Sequence, residues 1–130
     1  MKANKRIQRV LEVIKKRDDF DRVMFIILYG SSSRGEARLD SDVDLAVYYQ
    51  GSVEERFQFR MEVLGELYHD YYDVQIYQDL PLYVKMEVLP GEVLYKKDNT
   101  FLYDVAYQTI QEFEDFKPYY FDYIGEKELE

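Results

Sequence analysis

The sequence predicts an α/β layer fold, and three observations predict it. Amphipathic helical stretches alternate with short strand-like runs along the chain. The run Val23-Met24-Phe25-Ile26-Ile27-Leu28-Tyr29 is apolar throughout and stops at Gly30, as a strand buried on both faces does. No linker interrupts the 130 residues, so one domain spanning residues 1–130 is expected.

Each element follows from local pattern. Ile7, Val10, Leu11 and Ile14 fall at helical spacing and predict an opening amphipathic helix. After the Val23–Tyr29 strand, the small polar segment from Ser31 to Ser41 accommodates a short helix beginning just past Gly30. Val43, Leu45, Ala46, Val47 and Tyr48 predict a second strand. Ser52 followed by Glu55 is a capping box, and it opens a helix expected to bury Phe57, Met61, Leu64 and Tyr68. Tyr72 to Tyr77 predicts a third strand. Asp79 and Pro81 start another short helix, which Pro90-Gly91 stops. Val93 to Tyr95 suits a short edge strand. A terminal helix, capped near Asn99 or Thr100, carries Phe101, Leu102, Val105, Ile110 and Phe113 and is expected to halt before Pro118. The predicted order is α-β-α-β-α-β-α-(β)-α.

Composition narrows the function. The net charge of −9 argues against direct nucleic-acid binding, which needs a basic surface, and is compatible with a basic partner or a cation-filled acidic site. There is no cysteine, which excludes disulfides and thiolate metal sites. The N-terminus lacks a signal-peptide apolar core, and the longest apolar run is too short to span a bilayer. A soluble cytoplasmic protein with no membrane partner is expected.

The chemistry concentrates in Gly30-Ser31-Ser32-Ser33-Arg34-Gly35-Glu36-Ala37-Arg38-Leu39-Asp40-Ser41-Asp42-Val43-Asp44-Leu45. A buried strand that ends at a glycine and serines before a helix start points free N–H groups and a positive dipole end outward, which suits phosphate. Gly30 lets the backbone approach such a ligand closely. Asp42 and Asp44, two apart on a strand, share one sheet face. Carboxylates so placed repel until a cation neutralises them, and oxygen ligands alone select magnesium or manganese. Taken singly, a Gly-Ser run is an ordinary loop and Asp-x-Asp an ordinary solvated strand end. Together, Gly-Ser, ten residues and Asp-x-Asp match by chance on the order of once per 10⁵ positions at average residue usage. A phosphate-holding turn beside a two-carboxylate cation site is equipment for phosphoryl or nucleotidyl transfer.

Gly-Ser-x10-Asp-x-Asp resembles the signature of the DNA polymerase β-like nucleotidyltransferase superfamily, and GSSSRGEARLDSDVDL is similar to its minimal nucleotidyltransferase (MNT) branch. Asp73-Val-Gln-Ile-Tyr resembles the strand bearing that family's third carboxylate. Pro81 to Tyr95 resembles its closing helix and strand, and Glu114-Asp115-Phe116-Lys117-Pro118 resembles the end of MntA-type antitoxins. The resemblance implies an α+β nucleotidyltransferase fold, with a mixed sheet of three to four strands flanked by four to five helices. It further implies an antitoxin that transfers AMP from ATP to a tyrosine of a HEPN-domain ribonuclease toxin of the HepT type, in a hetero-oligomer. Two Mg²⁺ ions, or Mn²⁺, are the implied cofactors.

Residue by residue, Gly30 and Ser31 match the phosphate-binding pair, and Arg34 matches a basic position suited to phosphate oxygens. Asp42 and Asp44 match the metal-binding pair. Asp73 matches the third carboxylate, which holds the catalytic metal and accepts the acceptor's proton. Val74 and Ile76 continue beyond Asp73 as a strand, which favours it, with Asp70 a close rival and Glu66 and Asp79 more distant ones. His69, the only histidine, falls at a helix end and reads as structural or exposed. Arg38 and Lys85 each admit a phosphate reading and a surface reading, and neither is assigned. Tyr119, Tyr120, Phe121 and Tyr123 form either a partner patch or helix packing. Two alternatives stand beside the adenylyltransferase: a transferase acting on a small molecule such as an aminoglycoside, and a non-catalytic antitoxin that blocks its partner by binding.

Overall fold

The computed structural model describes the backbone of residues 5–30 and 42–129 and the side chains of residues 5–30 and 42–117. The chain runs α1 (Lys5–Lys15), β1 (Val23–Tyr29), β2 (Val43–Tyr49), α2 (Val53–Leu67), β3 (Tyr72–Ile76), α3 (Leu82–Val88), β4 (Glu92–Lys96) and α4 (Asn99–Leu129). One mixed sheet has the order β3-β2-β1-β4. β1 pairs antiparallel with β2 and with β4, while β2 and β3 pair in parallel. β4 is the predicted edge strand. The short helix expected after Gly30 falls outside the described residues. Among the described residues, no helix is long and apolar enough to cross a membrane.

The sheet separates two apolar clusters. On one face Ile26, Leu28, Leu45, Val47, Val74 and Ile76 pack with Val10 and Ile14 of α1 and Phe59 and Val63 of α2. On the other, Phe25, Ile27 and Ala46 pack with Tyr77, with Val88 of α3 and with Leu102 of α4. Because strand side chains alternate, β1 contributes to both clusters, which is why its whole length is apolar.

The capping box at the start of α2 forms as expected: Glu55 N–H donates to Ser52 Oγ at 3.1 Å, and Ser52 N–H donates to Glu55 Oε1 at 2.8 Å. The buried face of that helix differs from the expected one. Phe59, Val63 and Leu67 face the sheet, whereas Phe57 is 59% exposed, Met61 41% and Tyr68 86%. Both sets lie at helical spacing, so periodicity alone does not choose between them. Arg60 donates to the Val74 carbonyl at 2.6 Å, and Arg56 donates to the Gly51 carbonyl at 2.9 Å and pairs with Asp79. These two anchors lie on the helix face that carries Phe59 and Val63, and they turn Phe57 and Met61 outward. Tyr68 is already past the helix, in a left-handed cap at φ 59°.

The first turn of α4 is capped by Asp98, beside the expected Asn99 or Thr100, its Oδ1 accepting from Thr100 N–H at 3.2 Å. Two expectations for this helix are corrected. Its sheet-facing residues continue from Leu102 and Val105 to Thr109, leaving Ile110 exposed. Thr109 is drawn inward by the Tyr77 hydroxyl, 2.6 Å from its Oγ1. The helix does not halt before Pro118 but runs to Leu129. Proline removes one intrahelical hydrogen bond and bends the axis, which destabilises a helix without obliging it to end.

The two faces of α2 respond differently to truncation. Phe59→Ala, which empties a site in the core, lowers unfolding free energy by about 3–5 kcal/mol. Phe57→Ala stays within about 0.5 kcal/mol of the parent. Urea melts of both variants check this, and equal losses would contradict the orientation of the helix.

Candidate active site

Strand pairing assembles the site. Asp44 lies opposite Tyr29 in the β1–β2 ladder and opposite Asp73 in the β2–β3 ladder. Paired residues in a ladder share a sheet face, so Tyr29, Asp44 and Asp73 form one row across three strands. The next row on that face is Ile27, Ala46 and Gln75, followed by Phe25 and Tyr48. The carboxylate row therefore sits at one end of the face that α3 and α4 cover. Asp42 immediately precedes β2 and is exposed.

The row carries its repulsion in its protonation. The Asp44 carboxyl is raised above its ordinary range, first by burial and then by the negative charges of Asp73 and Asp42. The Tyr29 hydroxyl is pushed up to about 12 by burial, with Asp73, Asp44 and Glu87 adding to it. Asp42 and Asp73 thus both act on Asp44, and all three offer hard carboxylate oxygens. Among the described residues, no three acidic or histidine side chains close on one point as a preformed cation cage.

Two neighbours shape the row. Gly30 has φ +74°, and a Cβ there would lie 2.7 Å from Asp44 Oδ2. Glycine is required both for the left-handed backbone and for the space that the carboxylate occupies. Gln75 Nε2 donates to Asp73 Oδ1 at 2.7 Å, fixing one oxygen of that side chain.

Gly30, Asp42, Asp44 and Asp73 are therefore placed around one end of the sheet, while Ser31 and Arg34 lie outside the described residues, as does Arg38. The rival carboxylates sit elsewhere. Asp70 and Glu66 are exposed before β3 begins, and Asp79 lies beyond the far end of β3, held by Arg56 at 2.6 Å. His69 is exposed and stacks on Tyr71, with ring centroids 4.8 Å apart. Lys85 lies over the Tyr77 ring, 5.5 Å from its centroid, toward the opposite end of the sheet from the carboxylates. The side chains of Tyr119, Tyr120, Phe121 and Tyr123 are outside the described set. Tyr29 and Gln75 are site residues that sequence reasoning passed over. Gln75 was within reach, since a residue two beyond Asp73 on a strand shares its face. Tyr29 was not, because its place depends on the β1–β2 register.

Comparison with known proteins adds to this geometry. A family model described as polymerase beta, nucleotidyltransferase, matches residues 8–100. A curated protein of Methanocaldococcus jannaschii that carries a protein adenylyltransferase name is 37% identical over 68 residues, 52% of this chain and 51% of the relative. The chain thus spans about half the length of that curated relative. Among solved structures, one chain of a toxin–antitoxin complex with AMP-PNP superposes with a TM-score of 0.70 at 19% identity, covering 99% of this chain and 100% of that one. A chain from a Shewanella oneidensis complex, described as a tri-AMPylated HEPN toxin with its MNT antitoxin, gives a TM-score of 0.68 at 19% identity, covering 96% and 99%. At these identities the likeness establishes a shared fold.

The raised Asp44 carboxyl has a consequence for stability. A carboxyl whose folded value lies above its unfolded one favours the folded state while protonated. That contribution is present at low pH and is lost as pH rises from the ordinary carboxylate range through the raised value. Asp44→Asn removes the charge, so in metal-free buffer the variant melts above the parent at pH 7, and the gain vanishes below about pH 4. Thermal melts in a chelator check this, and a variant less stable at pH 7 would contradict the crowded row.

Proposed function

The chain belongs to the polymerase beta nucleotidyltransferase family, and from that premise we propose that it is a cytoplasmic, magnesium-dependent protein adenylyltransferase. It transfers AMP from ATP to a tyrosine of a HEPN-family ribonuclease toxin and neutralises it as the antitoxin of the pair. The observation that carries this reading is the register that sets Asp44 beside Asp73, with Asp42 acting on Asp44 and Gly30 against its carboxylate. The name of the curated relative and the toxin–antitoxin complexes that share the fold support the acceptor class.

The residues suit magnesium. Their donors are hard carboxylate oxygens, and their mutual repulsion is what a divalent cation relieves. Magnesium takes few protein ligands and completes its shell with water and substrate phosphate, so an open row is sufficient. Asp42 and Asp44 would hold the ions together with Asp73, and when bound these supply charge stabilisation on the phosphate oxygens. Gly30, Ser31 and Arg34 hold and orient the triphosphate.

The acceptor tyrosine has an ordinary pKa of roughly 10 and needs a base at neutral pH. Gln75 occupies Asp73 Oδ1, which leaves Oδ2 to take the phenolic proton. A bond forms between the tyrosine oxygen and the α-phosphorus, the bond from the α-phosphorus to the bridging oxygen breaks, and pyrophosphate leaves. The three carboxylates have separate charges to lose. Asp42→Ala and Asp44→Ala abolish transfer while the fold persists. Asp73→Asn lowers it roughly 10²- to 10⁴-fold.

The deciding measurement mixes the purified protein with labelled ATP, magnesium and the product of the adjacent gene, and reads intact masses. Gain of one or more AMP units on the partner, lost in Asp42→Ala, is the expected result. Tight binding without added mass would replace this reading with occlusion or a small-molecule acceptor.

A further inference from the structure

Helix α2 carries a second apolar stripe that the fold does not use. Val53, Phe57 and Met61 recur every four residues on its outer side, all exposed, and with Glu54, Gln58 and Glu62 they line an open groove of about 670 Å³. The stripe continues to Gly65. A Cβ built at Gly65 would meet nothing within 4 Å, so no contact among the described residues explains a glycine there. Glycine in a helix interior is less stable than alanine, and its use is close approach of another backbone.

From these features we propose that the outer face of α2 is the docking surface for a helix of the protein partner, one with an apolar stripe and basic flanks. Charge selects that occupant. Glu54 lines the stripe and enters no ion pair among the described residues, whereas Glu62, which also lines it, is already shared with Arg17 at 2.8 Å. The chain as a whole carries −9, so a second copy would set acid against acid, while a basic helix is attracted. The bare Gly65 lets that helix approach closely beside Met61, with Phe57 as the central anchor.

The position also separates holding from chemistry. α2 covers the sheet face opposite the carboxylate row, so a partner seated there leaves Asp44 and Asp73 open. A modified partner therefore stays bound after transfer. The identity of the partner rests on the toxin reading above, whereas the location of the surface does not.

The test titrates the purified product of the adjacent gene, by calorimetry, into the parent chain, Phe57→Glu, Gly65→Leu and Asp42→Ala, with transfer read in parallel. The altered α2 side chains are exposed or open, so folding is retained, which circular dichroism and thermal melts check. Phe57→Glu and Gly65→Leu are expected to weaken binding at least tenfold, Gly65→Leu while melting no lower than the parent, and Asp42→Ala to bind as the parent does. Undiminished binding by Phe57→Glu overturns the docking surface even if AMP transfer occurs. Binding that falls in Phe57→Glu without any transfer supports the surface and overturns the transferase. Two further results overturn the proposal: no binding by the parent chain, and sedimentation showing a parent dimer that Phe57→Glu dissolves.

Discussion

Two carboxylates abreast in neighbouring parallel strands are an unfavourable arrangement, and much of this fold serves to hold them there. Asp44 and Asp73 pair across β2 and β3, and each has an apolar neighbour in sequence that points to the opposite face. Val43, Leu45, Val47, Val74 and Ile76 fill the cluster beneath α1 and α2. Slipping β3 by one residue would expose that apolar set and bury the polar one, so the register is fixed by burial on one face while the charge is presented on the other. The crossover helix α2 reinforces it, with Phe59 and Val63 packed inward and Arg60 hydrogen-bonded to the backbone of β3 at Val74.

The residues around the row are matched to this constraint. A larger residue at Gly30 would collide with the Asp44 carboxylate and could not readily adopt the positive φ. Tyr29 closes the row with a hydroxyl whose proton is held on by burial and then by the negative charges of Asp73, Asp44 and Glu87. Gln75 orders Asp73 without adding a fourth charge. Each of these features keeps the carboxylates of the row ordered at one end of the sheet.

Much of this was legible in the sequence, and the parts that were not share a cause. The strand Val23–Tyr29, the capping box at Ser52 and Glu55, and the edge strand near Val93 are local patterns, and all of them form. The pair Asp42 and Asp44 is likewise a local spacing. That Asp73 meets Asp44 is a long-range pairing, for which the sequence offered only the start of a strand and several rival carboxylates. The outward face of α2 is not legible in the sequence because Phe57 and Met61 satisfy the same periodicity as Phe59 and Val63, and tertiary anchors through Arg56 and Arg60 decide between them. Proline costs a helix a hydrogen bond and so predicts a stop at Pro118, yet α4 continues beyond it.

That ambiguity in α2 has a physical content of its own. A helix with one apolar stripe has one partner surface, and here the sheet takes it. A helix with two stripes satisfies one inside the fold and leaves the other to solvent, where exposed Phe57 and Met61 gain nothing from water and Gly65 loses helix stability without a compensating contact among the described residues. Sequence periodicity does not choose the inner face because both faces carry apolar residues at helical spacing. Under the two proposals above, contact and chemistry would occupy opposite layers of the fold, because the carboxylate row lies across the sheet from that outer stripe. A macromolecular acceptor would then be held by apolar burial on one side while a separate segment reached the charged row on the other, and neither surface would have to compromise its composition for the other.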